Sequence, residues 1–230
     1  MTILAIVPTS RELATFDAAL RQEGVRAITE TVGTLAVTHF PELSVATALG
    51  GLGKAQFAAH TQHLIENGEW EIVVCAGAAG ALVDDLSVGD VVIATETIEH
   101  DIRNRFGPPQ LPRFETTITV LKQCRNLTLV DQNFTIHYAA IASGDEDVVD
   151  EARRAEVHAR TNALAVAWEG AGGARACLLS GVPYVEIRGI SDGSNNTAAK
   201  DFVANLPQVM RNVASVVVSL AGYNNQETHI

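Results

Sequence analysis

Three strand-like runs, Thr2 to Val7, Ile72 to Cys75 and Val182 to Ile190, constrain what this chain can fold into more than any other feature. A strand with one wet face alternates apolar and polar residues. The first two of these runs do not, so both of their faces must be covered. Helical patterns lie between the strands. Ser10 to Leu20 puts Leu13, Phe16, Ala19 and Leu20 on one face, and Lys54 to Asn67 carries Ala55, Ala58, Ala59 and Leu64. Glu169 to Leu179 and Lys200 to Leu220 also read as helices. Further strands are expected over Leu35 to Phe40 and Leu43 to Leu49, a hairpin-like pair meeting at Pro41. Val91 to Thr97, Ile136 to Ala142 and Ala163 to Val166 complete the set. Strand and helix alternate at both ends, while strands follow one another in the middle. That order predicts a mixed sheet flanked by helices, in one domain spanning 1–230.

The composition narrows the class. A hydrophobic share of 47% with 18 glycines suits a compact α/β enzyme and not a disordered chain. Acidic residues outnumber basic ones 27 to 16 and no basic cluster occurs, which argues against binding a nucleic-acid backbone. Met1 to Val7 is too short for a signal peptide and lacks its basic flank. No apolar run reaches the roughly 18 residues of a membrane span. A cytoplasmic protein with no membrane partner is therefore expected. Cys75, Cys124 and Cys177 are widely spaced and odd in number, as reduced, buried thiols would be. In a cytoplasmic chain the Asn-x-Thr triplets at Asn126, Asn133 and Asn195 carry no glycosylation meaning.

Ligands of open α/β sheets bind beyond the carboxyl ends of the strands, and four places put polar groups or glycines there. Glu12, after the first strand, reads either as a site carboxylate or as an acid complementing a helix N-terminus. The small residues from Ala76 to Ala81 permit close approach of a ligand, or equally tight packing. Glu169, preceded by Trp168, can bind hydroxyls or cap the helix that follows. Asp192 ends the run from Val182, within which Glu186 and Arg188 share a face and can form an internal ion pair. His60 and His63, three apart, lack a third ligand and read as packing or surface residues; His100-Asp101 is a weaker metal candidate still. The spacing of Gly50, Gly51 and Gly53 to Lys54 is not that of a phosphate-binding loop. The segment from Arg103 to Phe114, with Pro108, Pro109 and Pro112, reads as a surface loop that caps a site or meets a partner subunit.

Taken in order, Ile3 to Glu12, Gly50 to Lys54, Ala76 to Leu82, Leu86 to Val92, His100-Asp101, Ser143-Gly144-Asp145, Ala165 to Glu169 and Val182 to Asp192 span nearly the whole chain. This series resembles the purine nucleoside phosphorylase and nucleosidase superfamily, most closely its 5'-methylthioadenosine/S-adenosylhomocysteine nucleosidase branch. The resemblance implies a three-layer α/β/α sandwich with a mixed central sheet, a homodimer, and hydrolysis of the bond between purine and ribose. It implies water as nucleophile, a small-molecule nucleoside as substrate, and neither metal nor organic cofactor.

Carried over by position, Asp192 matches the acid that protonates purine N7 and Glu12 the carboxylate that orients the attacking water. Glu169 matches the acid that holds ribose hydroxyls, and Trp168 takes the place of a methionine packed on the sugar. Arg188 matches an arginine behind the catalytic aspartate, and Gly77, Ala78 and Val148 complete the substrate-binding set. The chain also departs from the pattern. Ala78 replaces a serine beside the catalytic acid, Asp147 an adenine-stacking aromatic, and Ala167 the first glutamate of a Glu-Met-Glu run. Trp168 then supplies the stacking surface. Three other readings stay open: a phosphate-dependent phosphorylase, a futalosine hydrolase, and a nucleoside-binding homologue without activity. The first needs arginines near the first strand, where only Arg11 stands, beside the repelling Glu12.

Overall fold

The computed structural model describes residues 2–21, 24–107, 110–129 and 132–227, leaving aside the side chains of 223–227. Its spine is the first apolar run. β1 (Ile3–Val7) is buried along its whole length and lies between two parallel neighbours, β4 (Val45–Leu49) and β5 (Ile72–Ala81). Period-two alternation divides its side chains between two cores. Ile3, Ala5 and Val7 join Phe16 and Leu20 of α1 (Ser10–Leu20) and Val209, Val213 and Val217 of α6 (Ala198–Glu227). Leu4 and Ile6 join Phe57 and Leu64 of α2 (Gly53–Asn67) and Ala174 and Cys177 of α5 (Gly170–Ser180). These two clusters, one on each face, are the three layers expected from the sequence.

The sheet is mixed. On one side of β1 it runs through β4 to the antiparallel β3 (Leu35–Phe40) and β2 (Ile28–Val32). On the other, β5 pairs with β9 (Ala165–Ala167) and with β10 (Tyr184–Asp192). β8 (Ile136–Ser143) lies beside β9, and β6 (Val91–Glu99) joins β8 to β10. The strands β5, β9, β8, β6 and β10 thus close on one another; β10 is parallel to β5 and β9 antiparallel to it, and Gly80 pairs with both Asp192 and Val166.

Several boundaries differ from those read in the sequence. The small residues Ala76 to Ala81 do not leave the strand: Gly77 pairs with Arg188 and Ala78 with Gly189, so β5 continues beside β10. β10 begins after Pro183 and carries Ser191 and Asp192 within it. β2, β7 (Arg113–Glu115), α3 (Ile118–Arg125) and α4 (Glu151–Thr161) lie where no element was read. β2 is an edge strand exposed at four of its five residues, and α4 buries only Val157 and Thr161, so neither leaves a clear apolar pattern. β7 pairs with β6 at the end of the segment read as a loop, of which Pro108 and Pro109 lie outside the described residues. All three cysteines are free and buried.

Candidate active site

A cavity of about 430 Å³ opens where β5, β9 and β10 meet, a size that suits a small ligand. Glu12, Ala78, Val148, Trp168, Glu169, Arg188 and Asp192 line it. Gly77, read as part of the substrate-binding set, does not. A Cβ added there would stand 2.6 Å from Arg188 Nη1 and 3.1 Å from Glu12 Oε1. Its contribution is room for those two side chains.

Glu12 stands both in the first turn of α1 and at the cavity wall. Thr9 caps α1: its hydroxyl accepts the Glu12 N–H at 3.2 Å and donates to Glu12 Oε2 at 2.7 Å. The other oxygen, Oε1, accepts the Ala78 N–H at 2.9 Å, across 66 residues. A local helix cap therefore aims a 4% exposed carboxylate into the cavity.

At the wall, buried Arg188 joins two acids. Its Nε donates to Glu186 Oε1 at 2.8 Å and its Nη2 to Glu169 Oε2 at 3.1 Å, while Nη1 donates to the Ala78 carbonyl at 3.3 Å. The ion pair between Glu186 and Arg188 read from their spacing is present, and Glu169 extends it. Thr97 donates to Glu186 Oε2 at 2.5 Å. Glu169 stands at the cap position of α5 yet makes no side-chain cap there; its Oε1 instead accepts the Gly53 N–H, at the start of α2, at 3.3 Å. Burial raises the pKa of Glu169, Arg188 works against that rise and Glu12 adds to it.

Asp192 sits at an irregularity. Ile190 pairs with Ala79 and Asp192 with Gly80, so Ser191 is an extra residue on β10, a β-bulge. Side chains of adjacent strand residues normally point to opposite faces. Here Ser191 Oγ reaches Asp192 Oδ2 at 2.7 Å, and the Ser194 N–H donates to Oδ1 at 2.9 Å. Burial pushes the Asp192 carboxyl up from its ordinary value; the two hydrogen bonds pull it down, while Asp201 and Asp147 push it further up. The net rise favours the protonated form of a group that can deliver a proton into the cavity.

The remaining wall comes from the chain after β8. Trp168 and Val148 supply apolar surface, and Glu146 and Asp147 line the cavity beside them. Glu146 is held by Arg153, whose Nε donates to Oε2 at 3.0 Å. The loop is seated by the Lys54 N–H, which donates to Asp145 Oδ1 at 2.8 Å, and by Asp101 Oδ2, which accepts the Asp145 N–H at 2.9 Å. Lys54 Nζ bonds Asp101 and lies 2.9 Å from Glu99. Asp101, a weak metal candidate in the sequence, thus braces this loop. His60 Nδ1 lies 3.1 Å from the Leu49 carbonyl, and His63 accepts the Thr34 N–H at 2.8 Å. Sequence reasoning did not single out Thr9, Ser191, Ser194 or the Gly53 amide. Thr9 was legible as the first residue of a Thr-x-x-Glu capping box, whereas a bulge and an amide contact leave no local pattern.

The fold is that of the phosphorylase superfamily. The chain belongs to it: the family's model matches residues 2–221. Over 207 residues it is 30% identical to the 5'-methylthioadenosine/S-adenosylhomocysteine nucleosidase of Exiguobacterium sp., covering 84% of this chain and 89% of that protein. Among solved structures it resembles the corresponding nucleosidase from Neisseria meningitidis in complex with methylthio-immucillin-A. That match has a TM-score of 0.81 and 28% identity, over 95% of this chain and 97% of the other. Futalosine hydrolase of Helicobacter pylori shares the fold, with a TM-score of 0.84 at 24% identity, over 96% and 97%.

Proposed function

We propose that this chain hydrolyses the N-glycosidic bond of a purine nucleoside of the 5'-methylthioadenosine/S-adenosylhomocysteine type. The observation that carries this reading is that Asp192, held toward its protonated form, shares one cavity with Glu12 and Glu169. Breaking the bond between C1' and N9 leaves positive charge on the ribose and negative charge on the base. Asp192 gives its proton to N7 as the bonding pair moves to the base. The water oxygen bonds to C1' while Glu12 takes one of its protons. Glu169 accepts hydrogen bonds from ribose hydroxyls. Both oxygens of Glu12 are already fixed by Thr9 and Ala78, so little reorganisation accompanies the step.

Water suits this site better than phosphate. Arg188 is the cavity's one cationic side chain among the described residues, and it is engaged by Glu186 and Glu169, so a phosphate would meet uncompensated carboxylates. Free base measured by chromatography from 5'-methylthioadenosine, S-adenosylhomocysteine, 5'-deoxyadenosine, futalosine and inosine, with and without phosphate, tests the reading. Release from the first two, independent of phosphate, is expected; phosphate-dependent turnover overturns hydrolysis.

We read the chain as one domain, cytoplasmic, and a homodimer. Leu178 and Leu179 of α5 are 75% and 80% exposed and Ile118 is 68% exposed. A groove that includes Leu178, Phe114 and Pro183 runs beside them, an apolar surface of the kind that partners cover. Light scattering that returns only monomer overturns the dimer.

A further inference from the structure

Ser194 has a backbone that a serine rarely adopts and a hydroxyl with nothing to bond. Its φ is +50°, in the left-handed region, where a non-glycine residue is held only by its surroundings. The residue is 1% exposed and lines the cavity, yet its Oγ has no hydrogen-bond partner among the described residues. Buried hydroxyls are nearly always partnered, so one without a partner in a residue that lines a cavity calls for an explanation.

Its neighbour defines which part of a ligand it would meet. The Ser194 N–H holds Asp192 Oδ1 at 2.9 Å. Ser194 Oγ and Asp192 Oδ1 also lie 2.2 Å and 2.9 Å from the point where a Cβ on Gly80 would stand. The missing Cβ of Gly80 is what lets Ser194 Oγ and Asp192 Oδ1 sit side by side against β5. On a purine, N7 and the substituent at C6 are adjacent on one edge: adenine offers an acceptor and an amino donor there, 6-oxopurines two acceptors. A serine hydroxyl both donates and accepts.

We propose that Ser194 Oγ binds the C6 substituent of the leaving purine while Asp192 serves N7. This assignment rests on the nucleosidase reading above and adds a specificity residue to it. Because the hydroxyl answers either polarity, the site takes 6-amino and 6-oxo purines and discriminates against a purine bearing only hydrogen at C6.

The test uses the full chain with 5'-methylthioadenosine, 5'-methylthioinosine and their analogue with hydrogen at C6. Loss of one neutral hydrogen bond corresponds to about 3- to 10-fold in kcat/KM. Ser194→Ala is expected to lose that factor on the 6-amino and 6-oxo substrates and to stay within about twofold of the wild type on the 6-hydrogen analogue. Ser194→Gly, which suits a φ of +50°, is expected to give the same pattern and carries the test if the alanine variant does not fold. Equal loss on all three substrates, or no loss on any, overturns the Ser194 assignment and leaves the nucleosidase reading standing. A folded wild-type protein that releases base from none of them overturns both.

Discussion

Ser191 Oγ donates to Asp192 Oδ2 at 2.7 Å, a contact between neighbours that exists because the strand bulges between them. The same hydroxyl lies 3.3 Å from the Ala79 carbonyl, so it has a second acceptor to turn to when Asp192 takes up a proton. This bond favours the charged carboxylate and opposes the rise caused by burial. Ser191→Ala should therefore raise the Asp192 pKa further. The alkaline limb of the kcat/KM profile is expected to move up by about one pH unit, the order of one hydrogen bond to a charged group. A limb that stays in place would show that Asp192 is not the titrating acid.

Replacing the two acids separates their roles from packing. Asp192→Asn keeps the shape and removes the proton for N7; Glu12→Gln keeps the shape and removes the acceptor for the water proton. Each should lower kcat by about 100- to 10,000-fold, the usual range for general acid or base action. Steady-state release of free base measures it. Near wild-type turnover in either variant removes that residue from the mechanism.

Much of this site was legible because carboxylates at strand ends leave a sequence mark. Glu12, Glu169 and Asp192 each follow or end an apolar run, and the family's order of motifs links them although 180 residues separate the first from the last. The reading was weaker where the physical cause is a contact between distant segments. Nothing local to Gly53 announces that its amide holds Glu169, and nothing in the small-residue run announces that β5 continues to Ala81 beside β10. Gly77 was read as a substrate contact, but its missing Cβ serves Arg188 and Glu12. The polar α4 and the exposed β2 escaped because each is held by few buried side chains.

Asp192 and Glu169 both have pKa values raised by burial, so the folded protein binds their protons more tightly than the unfolded chain does. Stability from these groups is fully present below the unfolded values, near 4, and is lost as pH rises through the folded ones. Glu169→Gln should flatten that part of the decline, so its melting temperature falls less than the wild type's between acid and neutral pH. Thermal unfolding across that range checks the sign. A steeper fall in the variant contradicts it.

Arg188 holds the buried charges together, with Glu186 and Glu169 on either side and Cys75 Sγ 3.2 Å from Nη2. Arg188→Met fills most of the volume and leaves both carboxylates without their cation. Breaking one side of a buried pair costs about 3 to 5 kcal/mol, and here two acids lose one partner. Denaturant unfolding should show a loss of at least that size. Arg188→Met combined with Glu186→Gln should recover part of it, because one uncompensated charge is gone. A double variant no more stable than the single one contradicts the pairing.

One glycine with no room for a side chain is Gly170, at the start of α5. A Cβ there would stand 2.0 Å from Glu186 Oε2 and 2.4 Å from Oε1. Glu186 is fully buried, and Arg188 and Thr97 hold its two oxygens, so it has nowhere to retreat. In an exposed helix Gly→Ala stabilises by up to about 1 kcal/mol. Gly170→Ala should instead destabilise by about 1 to 3 kcal/mol, the range of an overpacked core, and displace Glu186 from Arg188. Because Arg188 also holds Glu169, KM for the nucleoside should rise along with the loss of stability. Gly222 provides the control: it lies on the exposed side of α6 with nothing within 4 Å of an added Cβ, and Gly222→Ala should not destabilise. If both variants unfold at the same denaturant concentration as the wild type, α5 does not press on Glu186.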